Sequence, residues 1–420
     1  MGTLHKLALT TAISTLMASA AYAAETEINM LSITVNPNVR AYFEEIEKAF
    51  EASNPGVDVV ISYQDDESFK TRLPTLLQSS SRPDIFYSWG GGVFREQARA
   101  GVLEDIGAMA SEECKATFSQ AGLGAFSAEG VLHGLPEYAS EVVVWYNKDL
   151  AAEAGIDAEG IATWQQFLDA VETAKKAGVT PIVAGGKDKW PLQMYYGLLA
   201  LRMAGGEAIA AAGEGEDGGF SNPVFVDVGN KFLELVALEP FQTGFMDASY
   251  DQATGLFGDG KGLFHVMGNW DYGSSKAAST SGEGLSNEQL GVISFPMVEG
   301  GGGDPAETLG GINGWLVTKG ASQEAVDFLC FAMNKENQTK AGAEGYWIPV
   351  AKGASEAISN PYFAKISEDL SASPYHQLFL DQAFGASVGG TINDAAADLA
   401  SGATDPEEAA ARIEEARMFQ

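Results

Sequence analysis

Gly385-Ala386-Ser387-Val388-Gly389 has the spacing of a G-x-S-x-G nucleophile elbow. That turn needs a strand before it and a histidine after it to serve as the base. No strand-like run precedes this one, and the last histidine, His376, comes before Ser387. Acyl-transfer chemistry is therefore unsupported. Gly213-Glu214-Gly215-Glu216-Asp217-Gly218 fits G-x-G-x-x-G. It follows an Ala-rich helical run rather than a strand, and its own carboxylates would repel a pyrophosphate. Walker A, H-E-x-x-H, C-x-x-C and EF-hand patterns are absent from the sequence. His133, His265 and His376 are scattered, and His5 lies in a segment expected to be removed. No metal site, no cofactor and no catalytic residue are expected. Glycoside hydrolysis needs two carboxylates at a set separation, and a chain with 57 Asp and Glu singles out no such pair.

Binding chemistry is easier to find. Of seven tryptophans, Trp145 and Trp315 fall within strand-like runs and Trp164 in the first turn of a helix, so these three read as core. Trp89 precedes Gly90-Gly91-Gly92 at the end of a strand, and Trp270 follows Met267-Gly268-Asn269 at the end of another. Trp190 and Trp347 lie next to Pro191 and near Pro349, at loop–helix junctions. Ligands of open α/β sheets bind outside the carboxyl ends of the strands. An aromatic face there suits the C–H face of a pyranose, and nearby carboxylates and amides suit its hydroxyls. Asp65-Asp66-Glu67 is the densest acidic cluster near a strand end. Its members can divide between capping the next helix and contacting a ligand.

These residues are carried by a strand–helix rhythm. Ile28–Val35, Val57–Tyr63 and Ile85–Trp89 read as strands. Between them lie a helix with Tyr42, Phe43, Ile46 and Phe50 at helical spacing and a second helix over about 67–79. This is the doubly wound α/β order. Val142–Tyr146, Pro181–Val183, Leu263–Met267, Val292–Phe295 and Gly314–Thr318 read as later strands, and Trp190–Gly205 as a long apolar helix. Thr163 and Gln166 have the spacing of a capping box. From about Ser322 the chain reads as mostly helical. No Pro/Ser-rich linker separates two sequential domains, so the two domains expected of 420 residues are interleaved.

The net charge is −32. Such a surface repels phosphate backbones and anionic lipids, so nucleic acid is not an expected partner. Lys6, the apolar run Leu7–Ala20 and Ala21-Tyr22-Ala23 have the layout of a secretory signal peptide over 1–23, cleaved after Ala23. No later run approaches the ~18 apolar residues that span a bilayer. The mature chain is expected in the periplasm, as a monomer. Cys114 sits in a polar stretch and Cys330 on an apolar helix face, Phe328-Leu329-Cys330-Phe331. They read as two free thiols, one of them a core residue.

Several segments resemble, in order, a known family: the carbohydrate-binding proteins of bacterial ABC importers, extracellular solute-binding protein family 1, which is maltose-binding-protein-like. Arg82-Pro83-Asp84-Ile85 with Ser88-Trp89-Gly90 resembles the family's PD(I/V)…W segment, and Ala100–Ile106 its AGxLxDL. Gly134-Leu135-Pro136 and Trp145–Leu150 resemble GxP…YNKDL, and Thr163-Trp164 with Phe167 resembles TWxEF. Phe257–Leu263 and Met267–Trp270 are similar to F(x)nGkaAM…GxW. The resemblance implies a type II Venus-flytrap fold, α/β and two-lobed. Its lobes would be 24–136 plus 266–318 and 137–265 plus 319–420, with hinge crossings near Leu135–Tyr138, His265 and Val317–Lys319. It also implies binding residues: Asp65, Asp66, Trp89, Gly90, Trp190, Trp270 and Trp347. Lys187 and Asp188 precede a Trp-Pro-Leu segment like one in the family, Gly310–Asn313 resembles a strand-entry turn that includes Gly311 and Asn313, and Asp381-Gln382 falls in the pocket-completing C-terminal region. Gly90-Gly91-Gly92 stands where maltose binders have polar contacts, which puts maltose itself in doubt.

The function this implies is delivery of a di- or oligosaccharide to the permease of an ABC importer. The alternatives are a secreted carbohydrate-active enzyme, or the same fold holding a polyamine, a ferric ion or another small solute.

Overall fold

The computed structural model describes residues 26–34 and 36–420. The expected signal peptide and its cleavage point lie outside these residues. The first strand, Thr26–Ser32, lies parallel to Val57–Tyr63 on one side and to Ile85–Ser88 on the other. The intervening helix Pro37–Ser53 starts at Asn36, whose side chain accepts from the Asn38 amide. It buries Val39, Tyr42, Phe43, Ile46 and Phe50, the stripe its periodicity requires. Helix Asp66–Leu76 follows the second strand, as expected. The capping box at Thr163 is formed, on helix Trp164–Lys176.

Apolar side chains separate into two cores. The first contains Ile28, Phe43, Phe86, Leu135, Trp315, Val317, Phe328 and Trp347. The second contains Val144, Trp145, Trp164, Phe167, Phe264, Leu309, Ile348 and Ile392. Two long strands belong to both. Gly134–Asn147 carries Leu135 in the first core and Val142–Tyr146 in the second, and Thr308–Val317 carries Leu309 in the second and Trp315 in the first. They pair antiparallel with each other, with a register shift between Pro136 and Tyr138 that places a bulge at Glu137. The third crossing follows Lys352, since Val350 packs against the first core, Ala351 bridges Phe118 and the Lys352 amide donates to Thr117 O at 2.9 Å, whereas Ile358 and Tyr362 pack with the second core.

This corrects the expected lobe boundaries. Strand Phe264–Gly268 pairs with Val142–Tyr146, so no crossing occurs at His265, and Val266, Met267, Leu290 and Ile293 pack in the second core. Helix Gln323–Ala332 returns to the first lobe, where Phe328 meets Phe50 edge-on with ring centroids 5.2 Å apart. The first lobe therefore runs on to Lys352, and the crossing expected at Val317–Lys319 lies earlier, inside Thr308–Val317. The reading of two free thiols is also corrected. Cys114 and Cys330 form a disulfide, with Cα atoms 5.5 Å apart. The bond ties helix Glu112–Ala116 to the returning helix, whose place in the first lobe had not been expected.

Candidate functional site

The two lobes face each other across a cleft of about 420 Å³. Trp89 enters from the first lobe, at the carboxyl end of Ile85–Ser88. It is wedged by Phe69 and Tyr87, both edge-on, with centroids 5.7 and 5.2 Å away. Asp65 caps the next helix, accepting from the Ser68 amide at 2.9 Å. The hydrogen bonds from Ser68 hold the Asp65 carboxyl below its usual value. Asp66, one helical turn before Lys70, pairs with it at 2.8 Å. Burial alone would lower the Lys70 ammonium, but Asp66, Asp381 and Glu67 outweigh it and hold it above its ordinary value. Within the acidic triplet Asp65 is the helix cap that the sequence allowed for, while Asp66 and Glu67 meet Lys70 of the same helix.

In the second lobe a glycine pair builds the opposite wall. A Cβ on Gly185 would lie 2.8 Å from the backbone of Ser249 and Tyr250, and one on Gly186 would lie 2.9 Å from Met246 Cα. Their absence lets the loop press against 245–250. The Gly186 amide donates to Phe245 O at 2.7 Å and the Tyr250 amide to Asp188 Oδ2 at 2.6 Å. Lys189 then takes a positive φ of 63° and turns the chain into helix Trp190–Ala204. Trp190 meets the Tyr250 ring at 4.9 Å. The Tyr250 hydroxyl donates to Asp271 Oδ1 at 3.0 Å, as does Thr254 Oγ1, and His265 Nε2 lies 3.4 Å from Asp271 Oδ2. Burial raises the Asp271 carboxyl, with His265 and these hydroxyls opposing. A buried cluster thereby fixes Tyr250 against Trp190.

Trp270 is half-buried and meets Phe379 edge-on at 5.8 Å. Its neighbour Asn269 exchanges two hydrogen bonds with the backbone of Glu141: its amide donates to Glu141 O at 3.0 Å, and its side-chain oxygen accepts from Glu141 N at 3.1 Å. Trp347 is buried among Tyr42, Phe43 and Tyr138 and closes the first-lobe side. The cleft floor is the strand crossing itself, with Glu137, Tyr138 and Asn313.

Of the residues expected to bind, Asp65, Asp66, Trp89, Lys187, Asp188, Trp190, Trp270, Asn313, Trp347, Asp381 and Gln382 line this cleft. Gly90 and Gly311 do not. Gly91 and Gly92, with Gly90 as the helix N-cap, let helix Gly91–Arg99 abut the second lobe, since a Cβ on Gly91 would lie 2.5 Å from Gln382 O and one on Gly92 2.2 Å from Gly385 N. The Gly311 carbonyl accepts from Ser140 Oγ at 3.1 Å, and a Cβ on Gly311 would lie 3.0 Å from Phe379. The three tryptophans read as core are each 1% exposed. Lining residues the sequence reading missed include Lys70, Glu137, Tyr138, Tyr250, Asn269 and Phe379. Lys70 was signalled by its spacing from Asp66, and Asn269 by its place before Trp270. A bulge on a crossing strand leaves no such pattern, so Glu137 and Tyr138 gave no signal.

Four buried polar atoms of the lining have no hydrogen-bond partner within the protein: Nε1 of Trp190 and Trp347, Nδ2 of Asn269 and Oδ1 of Asn313. Buried donors and acceptors left unmet are costly, so these atoms fit a site completed by a polar ligand. Among the described residues, no group of His, Cys, Asp and Glu is arranged to hold a metal ion.

The chain matches the family model of the bacterial extracellular solute-binding proteins over residues 36–339. An uncharacterized ABC transporter extracellular-binding protein of Pyrococcus horikoshii is 24% identical over 239 residues, 56% of this chain and 54% of that one. The match thus spans about half the length of that relative. The multiple sugar-binding protein of Streptococcus mutans is 24% identical over 273 residues, 63% of this chain and 61% of that one. A protein solved in a study of xylan utilization by the thermophilic bacterium Caldanaerobius polysaccharolyticus superposes with a TM-score of 0.85 at 24% identity, covering 93% of this chain and 99% of that one. A chitin oligosaccharide binding protein superposes with a TM-score of 0.83 at 24% identity, covering 93% and 98%. The two-lobed α/β fold is shared with these structures.

Proposed function

Because the chain belongs to the bacterial extracellular solute-binding protein family, we propose that it holds a carbohydrate, a di- or oligosaccharide, between its lobes. It presents that sugar to the transmembrane permease of an ABC importer and catalyses no reaction on it. The protein works as a monomer in the periplasm, after loss of its signal peptide. One observation carries this reading: the cleft combines indole faces from both lobes with buried polar atoms that no protein group satisfies. A pyranose offers the matching pair of surfaces, an apolar C–H face and a rim of hydroxyls. Both lobes contribute contacts, so closure and binding are coupled. The names of the sugar-binding and chitin-oligosaccharide-binding relatives point the same way. A hydrolytic reading has less support, since the family whose model the chain matches is one of solute-binding proteins.

A thermal-shift screen of mono-, di- and trisaccharides, polyols and polyamines tests this. Stabilisation by a saccharide that is recovered unchanged is expected. Stabilisation by polyamines alone, or conversion of the sugar to products, would overturn the reading.

A further inference from the structure

The charges lining the cleft are unbalanced. The first lobe supplies Asp65, Asp66 and Glu67, and the second lobe supplies Asp188, Asp251 and Asp381. Against them stand Lys70 and Lys187. Lys70 is committed: its ammonium lies 2.8 Å from Asp66 and 3.4 Å from Glu67. Lys187 is exposed at the rim. The side groove that shares Asn36, Asp251 and Ser274 with the cleft adds Asp247 and Asp259, and no Lys or Arg is among its lining residues.

We propose that the ligand is an amino sugar, a saccharide bearing protonated amines, which the cleft selects over neutral and N-acylated sugars. The proposal rests on the carbohydrate reading above. Three features of the site support it.

First, Asp65 and Asp66 of the first lobe and Asp188 and Asp251 of the second line the same cleft. The Asp251 carboxyl is raised by burial and then by Asp188, Asp65, Asp66 and Asp271. A neutral sugar would leave that repulsion in place, whereas an ammonium between the lobes turns it into attraction. Second, the site already seats one ammonium. Lys70 Nζ lies 5.2 Å from the Trp89 ring centroid and 5.7 Å from that of Trp190, one indole from each lobe. Carboxylates beside aromatic faces are a favourable environment for a cation. Third, Asn313 Oδ1 is an unpartnered acceptor on a residue 1% exposed in the cleft floor, which an ammonium of the ligand can meet, while sugar hydroxyls meet the unpartnered donors of Trp190, Trp347 and Asn269.

The test uses three β-1,4-linked trisaccharides that differ only at C2: the glucosamine trimer, its fully N-acetylated form and cellotriose. Each is titrated calorimetrically into the protein at pH 6 and low salt, with spermidine as a fourth probe. The glucosamine trimer is expected to bind at least about tenfold tighter than the other two sugars. That margin is expected to shrink at high ionic strength and in Asp251→Asn. Equal or tighter binding of cellotriose or the N-acetylated trimer overturns the amine assignment and leaves the carbohydrate reading standing. The same assignment falls if none of the three sugars binds. Binding of spermidine with no sugar bound removes the carbohydrate reading as well.

Discussion

Gly268 and Trp270 are coupled through space. A Cβ on Gly268 would lie 2.0 Å from Cζ3 of the Trp270 ring, so only glycine lets the indole lie where it does. Gly268→Ala should swing the half-exposed ring aside while the second core, which lies behind it, keeps its packing. We expect at least about a tenfold loss of ligand affinity with little change in Tm, read by calorimetric titration beside thermal melting. Unchanged affinity would mean that the Trp270 face does not meet the ligand. Glu137 poses a different question. It is 3% exposed, and burial pushes its carboxyl up to about 8 against the opposing Trp315 side chain. Burial and Asp369 push Glu141 up to about 8 as well, with Lys365 and Arg202 opposing. The folded protein therefore holds these protons at pH values where an unfolded carboxyl, near 4.5, has released them. The stability they contribute is complete below that value and is lost as the pH rises toward 8. Glu137→Gln keeps the shape and removes the charge. Its Tm should gain on the wild type progressively from pH 5 to pH 8, and a constant difference across that range would contradict the assignment.

At the scale of elements, what the sequence revealed follows its periodicities. Val57–Tyr63 and the helix beginning at Trp190 lie where the apolar patterns put them, because each buries a regular face or is buried all round. A cap within Asp65-Asp66-Glu67 was legible, since a short acidic side chain before a helix has few other local partners, but that Asp65 supplies it follows from the helix starting at Asp66. The bulge at Glu137 was not legible, because an extra residue in a strand leaves both flanking runs apolar. The disulfide was hidden for a related reason: its two helices are 216 residues apart in sequence and meet only because the chain returns to the first lobe. Neither cysteine lines the cleft. Replacing both by serine should cost about 2–5 kcal/mol of stability, measured by denaturant unfolding, and leave ligand affinity unchanged. A large loss of affinity at full folding would place the disulfide in the control of lobe closure.

For the whole molecule, two lobes were expected, but the way the chain divides between them was misread at two of the three crossings. No linker marks a crossing, since two of them lie inside continuous strands and the third in a short stretch between Lys352 and Tyr362. Only the three-dimensional pairing of Phe264–Gly268 with Val142–Tyr146 assigns the middle of the chain to its lobe. The cleft was more legible than the lobes, because aromatic residues at strand ends and glycine-flanked turns report a site wherever the boundaries fall. Its central claim is that one sugar is gripped by an indole from each lobe. The most direct measurement is calorimetric titration of the saccharide found by screening into the Trp89→Ala/Trp270→Ala double variant. Loss of each face is expected to cost roughly 2–4 kcal/mol, or about 30- to 1,000-fold in affinity, in a protein that still melts cooperatively near the wild-type Tm. Wild-type affinity in a folded double variant would contradict the account and place the ligand outside the interlobe cleft.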